Sequence, residues 1–116
     1  MTYRIGIDIG STTVKTVVLS QNGELLFHTY ERHFSKAREK AAEQLRLAAV
    51  ILGGQRVLPA ITGSAGLGVA KSSGLPFVQE VYATAAIVGI RIPDADAVIE
   101  LGGEDAKIIF FGNSLE

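Results

Sequence analysis

The sequence has 116 residues, 47% of them hydrophobic, enough for one domain with a packed core and too few for two full-sized ones. Eleven Lys and Arg against twelve Asp and Glu leave a formal charge of −1, so no overall field draws the chain to nucleic acid or to an anionic membrane, and neither is expected as a partner. The absence of cysteine excludes a disulfide framework, a thiol nucleophile and a cysteine-held cluster within these residues, and with no signal-peptide pattern and no membrane-length apolar run, a cytoplasmic location is expected.

Residues 4–9 run toward continuous hydrophobicity and stop at Gly10, as a buried strand does. Residues 12–19 are rich in β-branched side chains and lead into Gln21-Asn22-Gly23, where Asn-Gly favours a tight hairpin; residues 24–31 return as a third strand. Ser35 is expected to cap a helix whose apolar stripe, Ala37, Ala41, Leu45, Ala48 and Leu52, recurs every three or four residues until Gly53-Gly54 ends it. Residues 57–62 read as a short strand, and residues 63–68 as a glycine-rich loop entering a short helix that Gly74 and Pro76 break. Phe77-Val78 suits a short strand, residues 80–90 an Ala-rich helix and Pro93-Asp94 a turn. Residues 97–101 and 105–111 form a second hairpin around Gly102-Gly103. Hairpins supply antiparallel pairs and strand–helix–strand stretches parallel ones, so the fold class is α/β with a mixed sheet, three antiparallel strands being followed by alternating helices and strands.

The second hairpin echoes the first at an offset of 92 residues. Ile7-Asp8-Ile9-Gly10-Ser11-Thr12-Thr13-Val14-Lys15 aligns with Ile99-Glu100-Leu101-Gly102-Gly103-Glu104-Asp105-Ala106-Lys107, an acid facing an acid before each glycine turn and a lysine facing a lysine after it. A glycine turn lets backbone N–H groups approach an anion, small hydroxyls add donors, and a carboxylate at a strand end can hold a hydrated Mg²⁺ that bridges phosphate oxygens. Taken singly, either hairpin reads first as an ordinary tight turn with a solvated acid; the duplication favours nucleotide polyphosphate. Weaker signals have plainer readings. Gly63, Gly66 and Gly68 match neither a dinucleotide fingerprint nor a Walker loop and read as a structural turn; residues 32–40 alternate in charge as a solvated helix face does, and His28 and His33 take the same reading.

Residues 5–15 resemble the phosphate-1 motif of the actin-like ATPase superfamily. With Val98-Ile99-Glu100-Leu101-Gly102-Gly103-Glu104-Asp105-Ala106-Lys107 as phosphate-2, and with Thr62-Gly63-Ser64-Ala65-Gly66-Leu67-Gly68 and Pro76-Phe77-Val78-Gln79-Glu80 between, the chain resembles the ATPase activators of 2-hydroxyacyl-CoA dehydratases and benzoyl-CoA reductases. The Glu-Leu-Gly-Gly-Glu-Asp form of phosphate-2 is similar to that of the large, multidomain activase-like relatives; smaller activators carry Asp where this chain has Glu100.

The resemblance implies a ribonuclease-H-like fold in two copies, with residues 1–95 as the first copy and residues 96–116 as the opening hairpin of a second that is not completed here. It implies ATP or ADP and Mg²⁺ as cofactors, a CoA-ester dehydratase or reductase as protein partner, and a homodimeric full-length protein. An iron–sulfur cluster, held in the family by cysteines from two subunits, belongs downstream of phosphate-2. Carried over by position, Asp8 and Glu100 are the metal-side acids, Gly10, Ser11, Thr12, Thr13 and Lys15 the first phosphate site, and Gly102 and Gly103 the second. Glu80 takes the place of a residue that orients the attacking water, although the helix dipole alone also favours an acid in a first turn. These residues by themselves are expected to turn ATP over negligibly, because half of the clamp is barely begun. A small-molecule kinase of the same superfamily and a nucleotide-sensing module without turnover are the rival readings.

Overall fold

In a computed structural model the structure describes residues 2–101 and 106–111. They divide into two compact units, Met1–Val78 and Gln79–Glu116.

The first unit is built on a four-stranded mixed sheet. β1 (Thr2–Ile9) pairs antiparallel with β2 (Thr13–Leu19), β2 antiparallel with β3 (Leu25–Arg32), and β1 parallel with β4 (Arg56–Thr62), giving the order β3-β2-β1-β4. The crossover between β3 and β4 is α1 (Ala37–Leu52), and α2 (Gly66–Ser73) follows β4. Period-two alternation sends Ile5, Ile7 and Ile9 of β1 and Val14, Thr16 and Val18 of β2 to one face, where all are buried against helix residues such as Ala41, Ala48 and Ala70. Leu45 of α1 packs against both halves of this core. Phe77, read from sequence as part of a short strand, makes a single parallel bridge to Ile61.

The apolar stripe of α1 contains one polar member. Gln44 lies between Ala41 and Ala48 on the buried face, and its carbonyl accepts a 2.6 Å hydrogen bond from the Thr16 hydroxyl. Its amide donates to the Val14 carbonyl and to Glu31, both at 3.0 Å. The polar group is thus paired at both ends, as burial requires. At the rim, Lys40 reaches Glu43 at 3.0 Å and Glu31 at 3.7 Å; the hydrogen bond to Glu43 is the main cause that holds its ammonium above the usual lysine range, with the Glu31 charge adding to it.

The start of α1 departs from the sequence expectation. Lys36, not Ser35, occupies the cap position, and no side chain caps the helix. Ser35 has φ of +65°, and its N–H is taken by the His33 ring, so it cannot adopt the extended backbone of a capping serine.

The second unit contains α3 (Glu80–Arg91) and the antiparallel hairpin of β5 (Ala97–Leu101) and β6 (Ala106–Phe110). No residue of α3 is buried. Along the hairpin, Ile99, Leu101, Ile108 and Phe110 are exposed and alternate with the more covered Val98, Glu100, Lys107 and Ile109. Among the described residues no helix is long and apolar enough to cross a membrane.

Replacing Gln44 by Leu keeps the volume and strands the Thr16 hydroxyl, so Gln44→Leu is expected to lower stability by about 2 kcal/mol in urea denaturation. Adding Thr16→Val removes the other partner and should recover about 1 kcal/mol of that loss.

Candidate functional site

Asp8 stands one residue from the C-terminal end of β1, directly opposite Lys15 on β2 and Thr62 on β4; Lys15 in turn faces Tyr30 on β3. The four residues form one row across the sheet, and alternation places that row on the face away from the buried isoleucines. Lys15 turns toward the acid, with Nζ 3.3 Å from Asp8 Oδ2 and 5.3 Å from the centre of the Tyr30 ring. The side-chain direction of Lys15, which the sequence does not specify, is therefore set by its two cross-strand neighbours. The Thr62 hydroxyl is buried and has no hydrogen-bond partner among the described groups.

The turn after β1 is closed by the Gly10 N–H, which donates to the Thr13 carbonyl at 2.9 Å. The loop after β4 folds onto the same strand end: the Ala65 N–H donates to the Ile9 carbonyl at 2.9 Å, and the Gly66 N–H to the Gly63 carbonyl at 3.0 Å. Gly63 has φ of +104°, and a Cβ there would fall on the Ile9 carbonyl and 2.5 Å from Asp8 Oδ1. Only glycine fits this approach. The glycine loop, read from sequence as a structural turn, thus fixes the backbone beside the Asp8 carboxylate.

His33 is the residue that sequence reasoning missed. Taken with His28 as solvated, it is instead 7% exposed, and its ring and backbone hydrogen-bond to the turn at residues 10–13. One histidine in a charged stretch carries no periodic signal, and its burial depends on a turn formed more than twenty residues earlier.

In the second unit Glu100 on β5 lies directly opposite Lys107 on β6, as Asp8 lies opposite Lys15. The duplicated sequence pattern thus has the same cross-strand register in both hairpins. Lys107 Nζ is 3.4 Å from Glu80 Oε1 at the start of α3 and 4.0 Å from Glu100 Oε1, so its charge offsets the repulsion between the two carboxylates. Glu100 Oε1 is buried beyond hydrogen-bond range of any described donor. Gly102 and Gly103 lie outside the described residues.

The donors around Asp8 are a carboxylate and hydroxyls, hard oxygens of the kind Mg²⁺ takes, and this ion usually uses one or two carboxylates with water and phosphate completing its shell. No group of three or more His, Cys, Asp or Glu capable of holding a metal occurs among the described residues.

Two contrasts test this geometry. Gly63→Ala should cost about 3 kcal/mol or more in thermal unfolding, whereas Gly68→Ala, in an open position inside α2, should gain about 0.5–1 kcal/mol. The Asp8–Lys15 pair leaves 37% and 33% of its side chains in solvent, so Asp8→Ala should change stability by less than about 1 kcal/mol in denaturant titration.

No family model matches the chain, and no curated protein matches its sequence. Solved structures do match. The chain is similar to component A of the (R)-2-hydroxyglutaryl-CoA dehydratase of Acidaminococcus fermentans, with a TM-score of 0.82 and 21% identity over 97% of this chain and 44% of that one. It is similar to the activator of the 2-hydroxyisocaproyl-CoA dehydratase from Clostridium difficile, solved with bound ADPNP, with a TM-score of 0.77 and 24% identity over 96% of this chain and 41% of that one. A weaker likeness, with a TM-score of 0.59 and 14% identity over 96% of this chain and 48% of the other, is to a Ppx/GppA phosphatase of Aquifex aeolicus. The chain spans less than half the length of each of these proteins. Likeness at these identities is likeness of fold, and the fold is a mixed α/β, ribonuclease-H-like one.

Proposed function

We propose that the chain is the N-terminal, nucleotide-binding part of an ATP-hydrolysing activator of a CoA-ester dehydratase or reductase. The observation that carries the reading is the repeated cross-strand pair: an acid opposite a lysine, Asp8 with Lys15 and Glu100 with Lys107, each acid followed two residues later in sequence by a glycine. Its setting supports it, since the fold matches two dehydratase activators and one of those was solved with a nucleotide analogue.

In this reading the turn of Gly10, Ser11, Thr12 and Thr13 binds phosphate through backbone N–H groups and hydroxyls, and Gly102 and Gly103 belong to the corresponding second phosphate site. Asp8 in the first unit and Glu100 in the second are each an acid that would hold Mg²⁺, directly or through water. Bound Mg²⁺ supplies charge neutralisation on the phosphate oxygens. Glu80 accepts a hydrogen bond from the attacking water and aligns it. The water oxygen forms a bond to the γ-phosphorus, the bond to the bridging oxygen of the β-phosphate breaks, and the water's proton passes to solvent. Lys107, between Glu80 and Glu100, keeps two carboxylates tolerable near a polyanion. Electron transfer to a dehydratase partner, a homodimer and a cluster are parts of the same proposal that need residues other than these, which contain no cysteine.

The test is single-turnover hydrolysis of γ-labelled ATP by the intact protein. Label released as inorganic phosphate, falling by about a hundredfold or more in Asp8→Ala, is the expected result. Label transferred to a sugar or acid acceptor, or Asp8→Ala turnover equal to wild type, would overturn it.

A further inference from the structure

His33 follows directly on β3 and holds the turn between β1 and β2 by two bonds. Its backbone N–H donates to the Thr12 carbonyl at 3.0 Å, and its ring Nε2 lies 3.0 Å from the Gly10 carbonyl oxygen. The other ring nitrogen, Nδ1, accepts the Ser35 N–H at 3.1 Å. A nitrogen that accepts carries no proton, so the proton of the neutral imidazole is on Nε2, where it is donated to Gly10.

The consequence is electrostatic. A carbonyl oxygen carries partial negative charge and repels phosphate, so an anion-binding turn must turn its carbonyls away and present its N–H groups. In this turn the Gly10 and Thr12 carbonyls are both engaged by His33, and the Thr13 carbonyl by the Gly10 N–H. The chain accepts local strain to make this arrangement. Phe34 and Ser35, neither of them glycine, have φ of +50° and +65°, and this left-handed pair carries the Ser35 N–H back to the His33 ring. The Arg32 guanidinium lies 5.0 Å from the centre of the Phe34 ring and covers the exposed side of the bend. The Lys36 N–H closes it onto the His33 carbonyl at 2.8 Å.

We propose that His33 is a positioning residue for phosphate binding: it locks the turn at residues 10–13 in its donor-presenting form by holding the Gly10 and Thr12 carbonyls. The proposal rests on the reading of that turn as a phosphate site. His33 itself touches no phosphate and acts through the backbone.

The test is a ¹⁵N amide titration of the intact protein with Mg·ATP on wild type, His33→Ala and His33→Gln. Wild type should show saturable shifts at the amides of residues 10–13. His33→Ala should bind about tenfold more weakly, the loss of one hydrogen bond to a covered carbonyl. His33→Gln, whose amide nitrogen can take the place of Nε2 and donate to Gly10, should recover most of the affinity. A residue that merely stabilised the fold would lower the melting temperature in both variants without this split. A folded His33→Ala or His33→Gln in which affinity does not follow the Gly10 bond overturns the proposal and leaves the phosphate site standing. Wild-type amides that do not move at residues 10–13 overturn the underlying reading, and this proposal with it. The ring ¹⁵N shifts of wild-type His33 give a check that needs no variant: a proton on Nε2 is expected, and an Nε2 that carries none would contradict the bond to Gly10.

Discussion

The crowded C-terminal end of β1 is the constraint on which the rest depends. Gly63 lies so close to the Ile9 carbonyl and the Asp8 carboxylate that a side chain has no space, and the Ala65 N–H ties the same carbonyl. On the other side the Gly10–Thr13 bond closes the turn into β2. An acid held between two backbone loops loses little entropy when a ligand arrives, which is what a site for a charged ligand needs. The apolar side of the same strand secures it: Ile5, Ile7 and Ile9 are buried beneath α1 and α2, so β1 cannot shift without opening the core.

Duplication turns this local arrangement into a functional argument. A single acid opposite a lysine is a common cross-strand pair and contributes little to stability when half in solvent. The same pair at the same register recurs in the second hairpin, again with a glycine two residues after the acid in sequence. There the lysine also joins Glu80 of α3, which brings two of the acids singled out in the sequence into one cluster. The likeness of fold to a dehydratase component A and to a dehydratase activator extends over almost the whole chain.

Much of the fold was legible because it follows local period. The alternation in β1 and β2 and the stripe of α1 report burial directly, and the 92-residue offset aligned the two hairpins residue by residue, whereas their cross-strand register came only with the structure. What escaped depends on partners distant in sequence. Gln44 sits on the stripe, yet its burial makes sense only with Thr16, a polar residue at a core-facing position of another element. Ser35 has the composition of a helix cap, but its N–H is committed to His33 and the cap moves to Lys36. The direction of Lys15 is decided by Asp8 and Tyr30 across two strand pairings. His33 was the least visible: nothing near it in sequence marks it, and its role is set by two carbonyls in a turn that precedes it by about twenty residues.

The central claim is that phosphate binds at the turn beside Asp8. The most direct measurement is a crystal structure of the intact protein with Mg²⁺ and a non-hydrolysable ATP analogue. The account predicts phosphate oxygens within hydrogen-bond distance of backbone N–H groups at residues 10–13, with the metal on the Asp8 side. A nucleotide bound with its phosphates away from that turn, and with Asp8 still paired only to Lys15, would contradict it.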